Sequence, residues 1–313
     1  MEMDIVACNG VIHTLSKPLV STKPSSSTSA AASSSPQSPP TSVVKGTNGV
    51  RVLTNTNEFE WINESEIKPG TVTCGFLTAP LGSLPKRKDY YPTVQTYFCV
   101  RFAEQQPTSQ YLVTHCGGPT STSSCIMYSY LKPKVYTQEY NIVIIDQRGV
   151  GRSGPVSFFR ETCAPTQKEA KGGNTTALLE YLHGHKQRVR SCWNDPEFTM
   201  ASPSTNNNTN NNTTTKFHFL EYSGTQRLVE DIERFRKALN IEKLSLYGVS
   251  YGTMVMGLYS TVFPQNVDKF VIDSNCPASS DLYSWAYDFA QNAQELIGSV
   301  HWLGVVVHVY ACK

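Results

Sequence analysis

The stretch Lys243-Leu244-Ser245-Leu246-Tyr247-Gly248-Val249-Ser250-Tyr251-Gly252 sets a serine between two glycines at the junction of two unlike patterns. Before it, residues 243–247 form a short apolar run of strand length. After it, residues 254–263 are apolar at helical spacing, so chain direction changes abruptly at Ser250. Upstream, Leu228, Ile232, Phe235 and Leu239 recur at three- and four-residue intervals and predict a helix over 226–239 with one apolar face. Downstream, residues 269–272 predict a further strand. Strand and helix in alternation give an α/β fold, a doubly wound and mostly parallel sheet.

Gly-x-Ser-x-Gly between a strand and a helix is the context of a nucleophile elbow. The glycines allow a sharp turn that no Cβ obstructs, and the turn leaves the Ser250 Oγ exposed. The helix behind it directs backbone N–H groups and its positive dipole end to the same point. A negative oxygen forming there would be stabilised by the N–H of Tyr251 and by a second donor from a loop after an earlier strand. The strand ending at Thr114 leads into His115-Cys116-Gly117-Gly118-Pro119. The second donor is assigned to this loop, at Gly117 or Gly118. The loop Asp146-Gln147-Arg148-Gly149-Val150-Gly151-Arg152-Ser153-Gly154 fits neither glycine-rich phosphate pattern and is read as structural.

Residues 58–102 predict a β-hairpin or meander, and 110–114 and 141–145 predict strands buried on both faces of a parallel sheet. Residues 21–42 are dominated by Ser, Pro, Thr and Ala and read as a linker, with the disordered stretch extended to 57. Residues 202–215 are almost wholly Asn, Thr and Ser, a low-complexity surface insertion. The folded domain is placed at 58–313.

A net charge of +2 with 17% charged residues offers no basic face for nucleic acid, and no segment predicts stable membrane insertion. The nine cysteines show neither C-x-x-C pairs nor cysteine–histidine clusters, so no metal site and no cofactor is assigned. Those cysteines, with sequons at Asn63, Asn174, Asn207, Asn211 and Asn212, suit a glycosylated, disulfide-bearing secretory protein. The first twenty residues lack the basic start and unbroken apolar stretch of a signal peptide.

Taken together, these segments resemble the prolyl aminopeptidase and tripeptidyl aminopeptidase branch of the α/β-hydrolases. The resemblance rests on Cys74-Gly75-Phe76-Leu77-Thr78-Ala79-Pro80-Leu81, on Gly117-Gly118-Pro119, and on Asp146-Gln147-Arg148-Gly149 with Gly151, Ser153 and Gly154. It continues through Tyr222, Asp231, Arg236 and Leu239, the elbow at Ser250, and Val271-Ile272-Asp273. It implies a sheet of the α/β-hydrolase type and a serine peptidase that releases residues from peptide N-termini through an acyl-enzyme on Ser250. It also implies that Asp273 belongs to a structural turn and that the triad acid and base follow on later strands. On that reading the chain is truncated before the cap and last strands, leaving His301 and His308 as the only downstream histidines. Cys116 beside the glycine pair and Thr120 after the proline depart from the family's loop. An ester substrate, or a scaffold without catalysis that acts in binding or adhesion, are the alternatives. Residues 4–13 (Asp-Ile-Val-Ala-Cys-Asn-Gly-Val-Ile-His) resemble the closing strands of a fasciclin-like adhesion domain, which would occupy 1–20.

Overall fold

A computed structural model describes residues 3–6, 12–15, 42–45, 50–54, 58–64, 67–82, 91–106, 108–118, 135–154, 163, 175–202, 215–274 and 276. Its main sheet has seven strands: β1 (Phe59–Trp61), β2 (Val72–Pro80), β3 (Thr93–Arg101), β4 (Tyr111–His115), β5 (Asn141–Ile145), β6 (Leu244–Val249) and β7 (Val267–Asp273). They lie side by side in the order β7-β6-β4-β5-β3-β2-β1. The first three form an antiparallel meander, as residues 58–102 predict, and β3 meets β5 antiparallel. The pairs β5/β4, β4/β6 and β6/β7 are parallel. Five strands thus run one way, with β1 and β3 opposed.

The helices are α1 (Thr175–Trp193), α2 (Thr225–Ala238) and α3 (Tyr251–Val262). On α2, Leu228, Ile232 and Phe235 are buried, as the spacing predicts, and Val229 is buried beside them. They pack with Val255, Met256 and Tyr259 of α3 against Phe98, Val113, Val143 and Leu246 of the sheet. Each large apolar side chain so buried contributes about 1.5–3 kcal/mol. Phe98 joins the layers: its ring stacks on Phe59 at 4.8 Å and meets Phe235 edge-on at 5.1 Å. The opposite face buries Tyr97, Cys99, Ile142 and Ile144.

Two expectations are corrected. Val50 and Val52 are buried in the main core, Val52 on one strand of an antiparallel pair, Ser42–Lys45 and Arg51–Thr54, and Val50 just before it. The assigned linker at 21–57 therefore runs too far, because valines from position 43 onward supply apolar surface that a Ser/Pro-rich tract lacks. The helix after Ser250 begins at Tyr251 rather than 254. The insertion read at 202–215 springs from a ribbon of Thr199–Ala201 with Lys216–His218, whose ends are tied by Ser202 N–H to Thr215 O at 2.8 Å. Residues 203–214 lie outside the described residues. Residues 3–6 and 12–15 form a separate antiparallel pair.

Two disulfides stand among the described residues, Cys74–Cys99 across β2 and β3 and Cys163–Cys192 onto α1; Cys116 is also disulfide-bonded, and Cys276 is a buried free thiol. Among the described residues no helix is long and apolar enough to cross a membrane.

Glu233 is buried on α2 and accepts from both sides of the Arg236 guanidinium at 2.8 Å, from Tyr259 OH at 2.8 Å and from Asn266 Nδ2 at 3.1 Å. Burial alone would raise its pKa, but the bonds from Arg236 and Tyr259 outweigh it and hold the carboxyl below its ordinary value. Its contribution to stability is therefore fully present above the unfolded-state pKa and is lost as pH falls through the lower folded-state value. The melting temperature of Glu233→Gln should lie below wild type at pH 7 and converge on it in acid. A gap unchanged down to pH 3 would contradict this.

Candidate active site

The strand order places the site. From β4 the chain crosses to β5 on one side, and it returns through β6 on the other side of β4. The loops that follow β4 and β6 therefore splay apart at the carboxyl ends of two adjacent parallel strands, a topological switch point where open α/β sheets hold ligands. His115 at the end of β4 pairs in register with Gly248 near the end of β6. Gly117 and Ser250 come together for that reason.

Ser250 has φ 53° and ψ −126°, a positive-φ conformation that costs an L-residue strain. Its N–H donates to the Asp273 carbonyl at 3.0 Å, and its carbonyl accepts from the Thr253 N–H at 2.8 Å and the Thr253 hydroxyl at 2.7 Å. The serine is thus held from both sides. The flanking glycines are steric necessities: a Cβ on Gly248 would lie 2.3 Å from the Gly252 carbonyl oxygen, and one on Gly252 would lie 2.2 Å from that of His115. Tyr251 opens α3, so its N–H is among the helix's first four, which have no acceptor inside the helix. Its ring is anchored through the hydroxyl, 2.6 Å from Thr225 Oγ1 and 3.4 Å from Gln147 Oε1. Burial raises the Tyr251 pKa against those bonds.

Gly117 has φ 108° and Gly118 φ 105°, a conformation glycine tolerates. A Cβ on Gly117 would lie 2.9 Å from the Ser250 Cβ and 3.3 Å from its Oγ, so backbone and nucleophile are in contact. The Gly117 N–H donates to His115 Nδ1 at 3.1 Å. The His115 imidazole is buried, which lowers its pKa to about 4, and it meets the Tyr251 ring edge-on at 5.6 Å. The sequence pointed to the glycines but not to His115, whose part depends on a contact with the backbone two residues ahead.

Asp273 ends β7 opposite Val249. Its carboxylate accepts from Tyr247 OH at 3.4 Å and Ser274 Oγ at 3.2 Å, in keeping with a structural turn. Pro119, Thr120, His301 and His308 lie outside the described residues. The loop after β5 is architectural, as read: Arg148 is fully buried, donates Nε and Nη2 to the Asp231 carboxylate at 2.8 Å each, and reaches the carbonyls of Leu81 at 2.6 Å, Pro80 at 3.2 Å and Tyr222 at 3.2 Å. The resemblance had picked out both Arg148 and Asp231. They are the halves of one ion pair.

A serine on a strained strand-to-helix turn at the switch point of a mixed sheet defines a hydrolase of the α/β type. Residues 111–304, more than half of the chain, match the alpha/beta hydrolase fold family, and the chain belongs to that family. It is 24% identical over 75% of its length to the putative hydrolase YuaR of Escherichia coli, covering 43% of that protein. It is 24% identical over 68% of its length to the serine protease Hip1 of Mycobacterium tuberculosis, covering 38% of it. To the tripeptidyl aminopeptidase of Streptomyces lividans it is 28% identical over 45% of its length, covering 23%. The chain thus spans less than half the length of these curated relatives. The family match starts at residue 111 and leaves the adhesion-domain resemblance of residues 4–13 without support.

Proposed function

We propose that this chain carries the nucleophile of a serine peptidase that releases residues from peptide N-termini. The observation that supports it most is Ser250 held at positive φ with the Gly117 backbone against it. In this reading Ser250 Oγ attacks the carbonyl carbon as a histidine outside the described residues takes its proton. The carbonyl oxygen becomes an oxyanion received by the Tyr251 N–H and the Gly117-Gly118 loop. Collapse of the tetrahedral intermediate expels the amine, which takes the proton from the histidine, and leaves an ester on Oγ for water to hydrolyse. The names of two relatives, a serine protease and a tripeptidyl aminopeptidase, favour a peptide over an ester substrate. The disulfides fit an oxidising compartment.

The test is reaction of the folded chain with a serine-directed fluorophosphonate, mapped by mass spectrometry, followed by a panel of peptide amides and simple esters. Labelling at Ser250 with cleavage of amides bearing a free N-terminus, and not of their N-acetylated counterparts, is expected. Cleavage of esters alone would transfer the site to ester hydrolysis. A cooperatively melting chain that takes up no label would overturn the catalytic reading.

A further inference from the structure

We infer that His115, held as the neutral Nε2–H tautomer, is a positioning residue that takes the Gly117 N–H out of play and leaves the Gly118 N–H as the loop's oxyanion donor. This rests on the hydrolase reading of Ser250. The chemistry starts from the hydrogen bond: an N–H that donates to a ring nitrogen requires that nitrogen to carry no proton, so Nδ1 is the acceptor and the hydrogen sits on Nε2. The ring is 2% exposed, and Nε2 has no hydrogen-bond partner among the described residues. A charged imidazolium would bring two buried N–H groups, one of them pressed against the Gly117 N–H, so the neutral ring is the form this pocket accepts. Burial alone already favours it.

The bond closes a local turn in which a side chain accepts from the backbone N–H two residues on, the turn that Asn and Asp side chains also make. It fixes the peptide between Cys116 and Gly117 while the two following residues, both at positive φ, swing the chain past Ser250. Gly117 is buried with its N–H engaged, whereas Gly118 is exposed. A donor already bonded to a ring nitrogen is poorly available to a developing oxyanion. The next N–H along the loop is that of Gly118, which is exposed and at positive φ. His115 is thus not a catalytic residue; it sets which amide faces the reaction.

Two measurements separate this from the hydrolase reading. The first needs no activity: nitrogen-15 NMR of histidine-labelled protein should show His115 as the Nε2–H tautomer at pH 7, with the Gly117 amide protected from exchange. An Nδ1–H tautomer would overturn the inference whether or not the protein hydrolyses anything. The second compares His115→Leu with His115→Asn, whose Oδ1 can accept the same N–H. Loss of one oxyanion donor lowers kcat by about 10²–10³-fold. His115→Leu should fall by that order in kcat with KM nearly unchanged, and His115→Asn should recover most of the loss. Equal impairment of both variants, or a change in KM alone, would reduce His115 to a packing residue. If the wild type is inert to fluorophosphonate, the hydrolase reading fails and the tautomer alone decides the loop's geometry.

Discussion

Ser250→Gly should melt at a higher temperature than the wild-type protein while losing all reaction with fluorophosphonate. The two effects have one origin. At φ 53° and ψ −126° the serine pays strain that glycine does not, on the order of 1–3 kcal/mol for a residue outside its favoured regions. Glycine gives back part of this, about 0.4–1 kcal/mol, through the greater freedom of the unfolded chain. The balance is roughly 1 kcal/mol in favour of the variant, or about 2–4 °C in a domain of this size. Ser250→Ala supplies the control, because alanine removes the hydroxyl but keeps a Cβ in the same backbone conformation. Both variants should be dead, and only the glycine should be stabilised. If the alanine and glycine variants melt together, the turn stores no strain and the exposed serine is held without cost.

Arg148→Met should destabilise the protein by about 3–5 kcal/mol, the cost of leaving a buried charge without its partner. Asp231 is fully buried, and beyond Arg148 it keeps the Thr96 hydroxyl at 3.2 Å. The carbonyls of Pro80, Leu81 and Tyr222 would lose their donor as well. Denaturant unfolding of Arg148→Met, Asp231→Leu and the double variant gives the coupling. The double variant should recover a large part of the single loss, because an apolar pair removes the unpaired charge. Additive losses would mean that the guanidinium acts chiefly through those carbonyls.

The patterns that were legible are those in which chemistry and local geometry coincide. Glycines two residues either side of Ser250 can be read without a structure because they answer a steric demand inside one turn. The core face of α2 is equally plain, since every fourth or third residue is apolar. Helix α3 was set three residues late because its opening Tyr-Gly-Thr sits on the elbow and carries no apolar period. Helix α1 went unread, and three of its large apolar side chains, Leu179, Val189 and Trp193, are exposed. Arg148 and Asp231 stand 83 residues apart, and nothing local announces that they meet. His115 was quoted within the loop, yet its part follows from a tautomer that only the contact with Gly117 fixes.

The order of strands in the sheet also bears on how the molecule is assembled. The meander pairs residues that are near neighbours along the chain, such as Pro80 with Thr93. By contrast β6 finds one partner far back, Leu112 with Ser245, across the whole intervening stretch that contains β5, α1 and α2. Short loops close early and long ones late, since distant pairing must first overcome the entropy of closure. The meander can therefore form while β6 is still unpaired, an order that pulse-labelled amide exchange reads directly. Pairing of β6 then brings Ser250 into its turn against strands that are already in place.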